Sequence, residues 1–149
     1  MQSAVMDEAL ALARTAATQG DVPVGAVVVA ADGEVIGRGY NVREAAHDPA
    51  GHAEVVALRE AAAVRGTWRL DDATLVVTLE PCAMCAGAIL LSRVRRVVFG
   101  AWDDKMGACG SVWDLVRDRR MNHFVEVVAQ VREDECSSLL REFFSEHRT

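Results

Sequence analysis

The apolar and polar positions of this chain follow two periods, and the switches between them outline its elements. Over residues 4–18, Val5, Met6, Leu10, Leu12 and Ala13 recur among polar neighbours, which predicts an amphipathic helix ending at Gly20. Val24 to Ala31 is a continuous apolar run closed by Asp32-Gly33, and Val35 to Tyr40 follows. An Asp-Gly pair between two such runs predicts a hairpin. Helical period returns over residues 52–65, with Val55, Val56 and Leu58 on the apolar face and the helix-favouring Ala61 to Ala63 behind them. Leu75 to Thr78 reads as a short buried strand. Pro81 predicts a helix start, because a first turn does not need its missing N–H; that helix runs through Ala88, Ile89 and Leu90 to the neighbourhood of Arg93. A strand over Val94 to Phe99, a loop from Gly100 to Ser111, a short helix at Val112 to Arg117, a strand at Phe124 to Val128 and a helix from Glu133 to Glu146 complete the pattern. Strands interleaved with helices after an initial hairpin predict the α/β class, as a three-layer α/β/α domain with a central mixed five-stranded sheet.

Length and composition narrow this only slightly. The 149 residues, 51% apolar and 26% charged, suit one globular domain spanning 1–149. No stretch reaches the ~18 uninterrupted apolar residues of a membrane span, and Met1 to Glu8 lacks the basic and apolar regions of a secretory signal, so a cytoplasmic location is expected. A net charge of −6 argues against indiscriminate binding to nucleic acid. The cations are uneven, however: 15 Arg and one Lys, with groups at Arg93, Arg95 and Arg96 and at Arg117, Arg119 and Arg120. These are either solvated faces or a local phosphate-binding patch.

The candidate chemistry lies in His52-Ala53-Glu54 and Pro81-Cys82-Ala83-Met84-Cys85. One imidazole and two thiolates suit zinc, and three protein ligands leave a fourth position for water, as catalytic sites do. Cysteines at i and i+3 share one face of a helix's first turn, where exposed N–H groups favour the thiolate. Glu54, two residues from a ligand, is placed to carry protons as a catalytic acid and base. Taken singly, each piece has a plainer reading. Cys-x-x-Cys alone also serves as a redox pair or as half of a structural zinc site, for which Cys109, His47 or His123 would be the further donors. Glu54 also suits a first turn through the helix dipole. Cys109 and Cys136 are expected to be free thiols.

Beyond the zinc motif, the chain carries Asp21-Val22-Pro23-Val24-Gly25-Ala26-Val27, Gly39-Tyr40-Asn41, His47-Asp48-Pro49, Thr78-Leu79-Glu80 leading into Pro81, Arg96-Val97-Val98-Phe99-Gly100-Ala101 and Met121-Asn122-His123. With these it resembles the bacterial tRNA-specific adenosine deaminases of the cytidine and deoxycytidylate deaminase superfamily, over about residues 4–144. The resemblance implies one Zn2+ per subunit on His52, Cys82 and Cys85, and hydrolytic conversion of the wobble adenosine of a tRNA anticodon stem-loop to inosine. On that resemblance, zinc-activated water would attack C6, with Glu54 shuttling protons and ammonia leaving. It implies that Pro23, Val24 and Ala53 border the base, that Asn41 hydrogen-bonds the nucleotide, and that Asp103 and Lys105 meet the RNA backbone. It further implies that Phe143 and Phe144 match an aromatic pair near the flanking nucleotides and that the assembly is a homodimer.

These assignments keep their rivals. Asn41 also suits a strand end, Asp103-Asp104 an acidic turn, His123 a core or interface position, and one of Phe143 and Phe144 the core. The same fold and zinc also serve enzymes acting on free guanine or cytosine, and a zinc-stabilised silent partner of an active subunit is a third reading, against which Glu54 stands. The chain departs from the family at Ala50-Gly51, at Trp102, Met106 and Cys109 in the RNA-facing loop, and in a short ending, Phe144 to Thr149, without the common basic tail.

Overall fold

A computed structural model describes residues 2–147; Met1, and Arg148 and Thr149 of the short ending, lie outside the described residues. The elements are α1 (Gln2–Thr18), β1 (Gly25–Val29), β2 (Val35–Tyr40), α2 (Ala53–Arg65), β3 (Thr74–Leu79), α3 (Ala83–Leu91), β4 (Arg96–Ala101), β5 (Glu126–Val128) and α4 (Glu133–Glu146). The sheet order is β2-β1-β3-β4-β5, with β1 antiparallel to both neighbours and β3, β4 and β5 mutually parallel. This is the mixed five-stranded α/β architecture the pattern predicts.

Alternation along the strands divides the core between the two faces of the sheet. Val27, Val76 and Val98 face Met6 and Leu10 of α1 and Cys136 of α4. Ala26, Val28, Leu75, Val77 and Phe99 face Ala57, Ala61 and Ile89 on the α2 and α3 side. Phe99 and Ile89 are fully buried, and burial of each such side chain stabilises by about 1.5–3 kcal/mol. The contact of α2 with β2 is unusually close because two strand positions carry no side chain. A Cβ on Gly37 would lie 2.3 Å from the Ala57 carbonyl oxygen, and one on Gly39 would lie 2.4 Å from that of Ala53. The start of α2 is thereby held directly over the end of β2.

The structure departs from the sequence pattern at one predicted helix and at several element ends; the last strand, for instance, begins at Glu126 rather than Phe124. The segment Val112 to Arg117 is not a helix: the Trp113 amide bonds the Gly107 carbonyl (3.0 Å), the Leu115 amide bonds that of Ala108 (2.9 Å), and Cys109 pairs with Asp114. Once the loop folds back on itself, these donors are lost to any helix. The fourth strand begins at Arg96 rather than Val94, because Arg93 adopts a φ of 65° and the Val94 amide still bonds Ile89 of α3. Pro81 precedes the third helix instead of opening it; Cys82 is the N-cap and Ala83 the first helical residue.

Candidate metal centre and substrate cavity

One end of the sheet gathers the start of β1, the end of β2 and the ends of β3 and β4, since Gly25 pairs with Tyr40 and Leu79 with Ala101. Ligand sites of α/β sheets form at such ends, where chains leave the strands for helix starts. Two helices begin here. His52 is the N-cap of α2 and Cys82 the N-cap of α3; both are extended, and neither spends its side chain on capping. Both side chains are therefore free to turn inward. The approach to His52 is fixed by the Gly51 carbonyl, which accepts the Val42 amide (2.8 Å) just beyond β2.

Cys85 lies three residues into α3 from Cys82, the spacing at which an N-cap side chain meets the first turn. His52 Nδ1 is 3.6 Å from Cys82 Sγ and 3.5 Å from Cys85 Sγ. A tetrahedral zinc with bonds of about 2.3 Å to sulfur and about 2.05 Å to nitrogen would hold such atoms roughly 3.5–3.6 Å apart. The donors thus already stand at zinc spacing. Among the described residues, His52, Cys82 and Cys85 are the one group of three or more His, Cys, Asp or Glu side chains so clustered. Cys109, His47 and His123 are not in it, so a fourth protein ligand of a closed structural site is absent from that cluster.

The electrostatics agree with cation binding. Hydrogen bonding to Cys85 and to His52 holds the Cys82 thiol down at about 4, while the shared bond to Cys82 and burial push Cys85 up. The hydrogen bond with Cys82 likewise raises His52. A divalent cation held here would replace the thiol protons, since a coordinating thiol is deprotonated. Glu54, in the first turn of α2, is only 4% exposed. Burial pushes its carboxyl up to about 7, against a partial pull downward from its backbone hydrogen bond and from His52. A carboxyl near neutrality can both take and return a proton.

These groups line a cavity of about 540 Å³, within the roughly 300–1,000 Å³ typical of small-ligand sites. Val24, Asn41, Ala53, Asp103, Lys105 and Phe144 all line it. Pro23 does not: it is the apex of a tight turn in which the Val24 amide bonds the Val22 carbonyl (2.9 Å), so Val22 reaches the cavity in its place. Asn41 is both strand-end and cavity residue. Its Nδ2 donates to the Val22 carbonyl (3.2 Å) and its Oδ1 accepts the Arg43 amide (3.0 Å), which fixes the amide while leaving one N–H and one lone pair unused. Asp103 Oδ1 accepts the Lys105 and Met106 amides, each at 3.1 Å, as an acidic turn does. Of the closing aromatic pair, Phe143 is core and Phe144 is 53% exposed at the cavity. His123 bonds the Val94 carbonyl (2.7 Å), a structural role away from the cavity. Half of the arginines in the two groups are ion-paired: Arg96 with Glu126 (2.8 Å), Arg117 with Asp114 (2.7 Å) and Arg120 with Asp118 (2.7 Å).

One cavity residue was not singled out by its sequence context. Glu80 is 2% exposed, and its carboxylate accepts the amides of Asp103 (3.0 Å), Cys109 (3.0 Å) and Ser111 (3.1 Å). A Cβ on Gly107 would come within 2.2 Å of Glu80 Oε1, so only glycine allows this approach. The loop after β4 is therefore pinned beside the metal triad by a carboxylate one residue from Pro81. Glu80→Ala leaves three amide donors without their acceptor, the one at Cys109 fully buried. At about 1–3 kcal/mol per buried unmet donor, we expect a loss of roughly 2–4 kcal/mol in denaturant unfolding, and a smaller loss for Glu80→Gln, which retains one oxygen. Equal stability of Glu80→Ala and the parent would remove this role.

Comparison with known proteins gives a consistent family. The chain matches the cytidine and deoxycytidylate deaminase zinc-binding region over residues 1–101. It is 50% identical over 143 residues to the tRNA-specific adenosine deaminase of Bacillus subtilis, covering 96% of this chain and 88% of that protein. A solved tRNA:A34 deaminase, which edits A to I at the wobble position, superposes with a TM-score of 0.87 at 41% identity, over 91% of this chain and 97% of the other. The guanine deaminase of Nitrosomonas europaea superposes with a TM-score of 0.83 at 27% identity, over 96% of this chain and 84% of the other.

Proposed function

The chain belongs to the cytidine and deoxycytidylate deaminase family, and from this membership we propose that it hydrolyses the wobble adenosine of a tRNA anticodon loop to inosine and ammonia. The observation that carries the reading is the union, in one cavity, of a His52-Cys82-Cys85 triad at zinc spacing with the buried carboxyl of Glu54. Identity of 50% to a tRNA-specific relative across nearly the whole chain supports the substrate.

His52, Cys82 and Cys85 would hold one Zn2+. When bound there, zinc makes water acidic enough to serve as a nucleophile near neutral pH. Glu54 would take one proton from the water that adds to C6 and pass it to the ring nitrogen, then carry the second, from the new C6 hydroxyl, to the amine, which departs as ammonia. Val24 and Ala53 form apolar walls for the purine, and the spare N–H and lone pair of Asn41 face the nucleotide. Asp103 and Lys105 lie where the adjoining ribose and phosphates pass. A single-stranded loop lets the target base leave its stack at little expense. The single domain works in the cytoplasm, where the zinc thiols stay reduced.

Incubating the zinc-loaded protein with an anticodon stem-loop bearing wobble adenosine should yield inosine. Ammonia from free guanine or cytidine, with no inosine in the stem-loop, would overturn the substrate in favour of a base deaminase of the same fold.

We propose in addition a homodimer. Met84 and Leu91, seven residues apart and so on one face of α3, are both exposed, Leu91 at 75%. Such surface commonly belongs to an interface. Leu91→Arg should halve the mass measured by light scattering; an unchanged mass would place the interface elsewhere.

A further inference from the structure

A base that enters this cavity leaves its stack, and its neighbours in the strand each lose a partner. The mouth offers a replacement that the zinc motif does not contain. Trp102 follows the last residue of β4, lines the cavity and is 39% exposed. Its indole is fixed from behind. It meets the fully buried ring of Phe99 edge-on, with centroids 5.0 Å apart at 76°. Its six-membered ring also passes so close to Gly110 that a Cβ there would lie 3.3 Å away. The adjoining backbone is fixed too, through the Asp103 amide held by Glu80. A ring already immobilised loses little freedom on binding.

Charge leaves room for such a contact. Arg43 and Lys105 at the mouth are matched by Asp103 and Asp104, Arg43 is drawn to Glu44 at 3.7 Å, and the chain carries −6 overall. Phosphate attraction is therefore modest. Single strands are also held by stacking on aromatic side chains, which any base can supply.

We infer that Trp102 is a stacking platform for the base next to the target nucleotide. The inference rests on the RNA reading above and adds a subsite to it.

The test is steady-state deamination of the anticodon stem-loop by zinc-loaded protein. Trp102→Leu keeps the apolar contact with Phe99 but has no π face, and Trp102→Phe restores one. We expect Trp102→Leu to raise KM roughly tenfold, the loss of about one base stack, with kcat within about twofold, and Trp102→Phe to recover most of it. The same assay with an abasic nucleotide on either side of the target should show one position that weakens the wild type similarly. At that position the Trp102→Leu variant should lose little more. Wild-type KM in Trp102→Leu, or fully additive losses, overturns the platform while inosine formation by the wild type leaves the substrate reading standing. If the wild type forms no inosine, both fall.

Discussion

Replacing Glu54 by alanine is expected to abolish turnover while leaving the zinc and the fold in place. The carboxyl is not a metal donor: the zinc spacing is already met by His52 Nδ1, Cys82 Sγ and Cys85 Sγ. It holds no loop, unlike Glu80, whose carboxylate gathers three amides. Its folded environment is also unfavourable to its charge, because burial pushes its carboxyl up to about 7. Truncation thus removes a desolvated group from the first turn of α2, where alanine is a good helix former. The melting temperature should stay level or rise, and metal analysis should still find one zinc. Loss of a positioned general acid and base usually lowers a rate by about 10²–10⁴-fold, and here one group is asked to serve both directions of proton transfer. We expect kcat to fall by at least the upper part of that range, about 10⁴-fold. Turnover within tenfold of the parent would end the shuttle assignment, and loss of zinc would make Glu54 part of the metal site instead.

Cys82→Ala or Cys85→Ala should lose both metal and stability. The ligands come from the starts of α2 and α3, which are joined by a strand and two connecting segments, so the ion ties together parts of the chain 30 residues apart. Binding energy gained only in the folded state adds to folding stability. Because the sheet buries its own core, the apoprotein is expected to remain folded, unlike a small zinc finger. A loss of roughly 3–5 kcal/mol corresponds to zinc present at about 10²–10³ times its dissociation constant, with a small packing term. Chelator should lower the melting point of the parent to that of the variants and leave the variants unmoved. Full zinc occupancy in either variant, or a parent insensitive to chelator, contradicts this.

Much of the candidate site could be read directly from the chain because zinc chemistry restricts residue types. His, Cys and Cys with a nearby carboxylate leave few alternatives, and each of the two motifs opens a helical pattern. The sheet was legible for a similar reason: a short apolar run such as Leu75 to Thr78, with helices predicted before and after it, suits a strand covered on both faces. What local pattern could not show depends on hydrogen bonds between distant segments. Val112 to Arg117 has a helix-compatible composition, but its amides bond back to Gly107 and Ala108. Pro23 and Val22 are both apolar, and only the turn between them determines which faces the base. Glu80 reads as an acidic residue at a strand end until the loop amides around it are counted.

The way Glu80 holds its loop bears on how such a catalyst diversifies. Its partners are backbone amides of Asp103, Cys109 and Ser111, so the anchorage asks for glycine at position 107 but for no particular side chain at its three donors. Side chains facing the cavity mouth, including Trp102 and Met106, can be exchanged without moving the frame or the proton chemistry. Selection can thus act on recognition and on reactivity as nearly separate traits. Libraries confined to positions 102, 104, 105 and 106, sparing the turn held by the Asp103 carboxylate, should retain zinc and folding in most members while shifting which nucleotides are accepted.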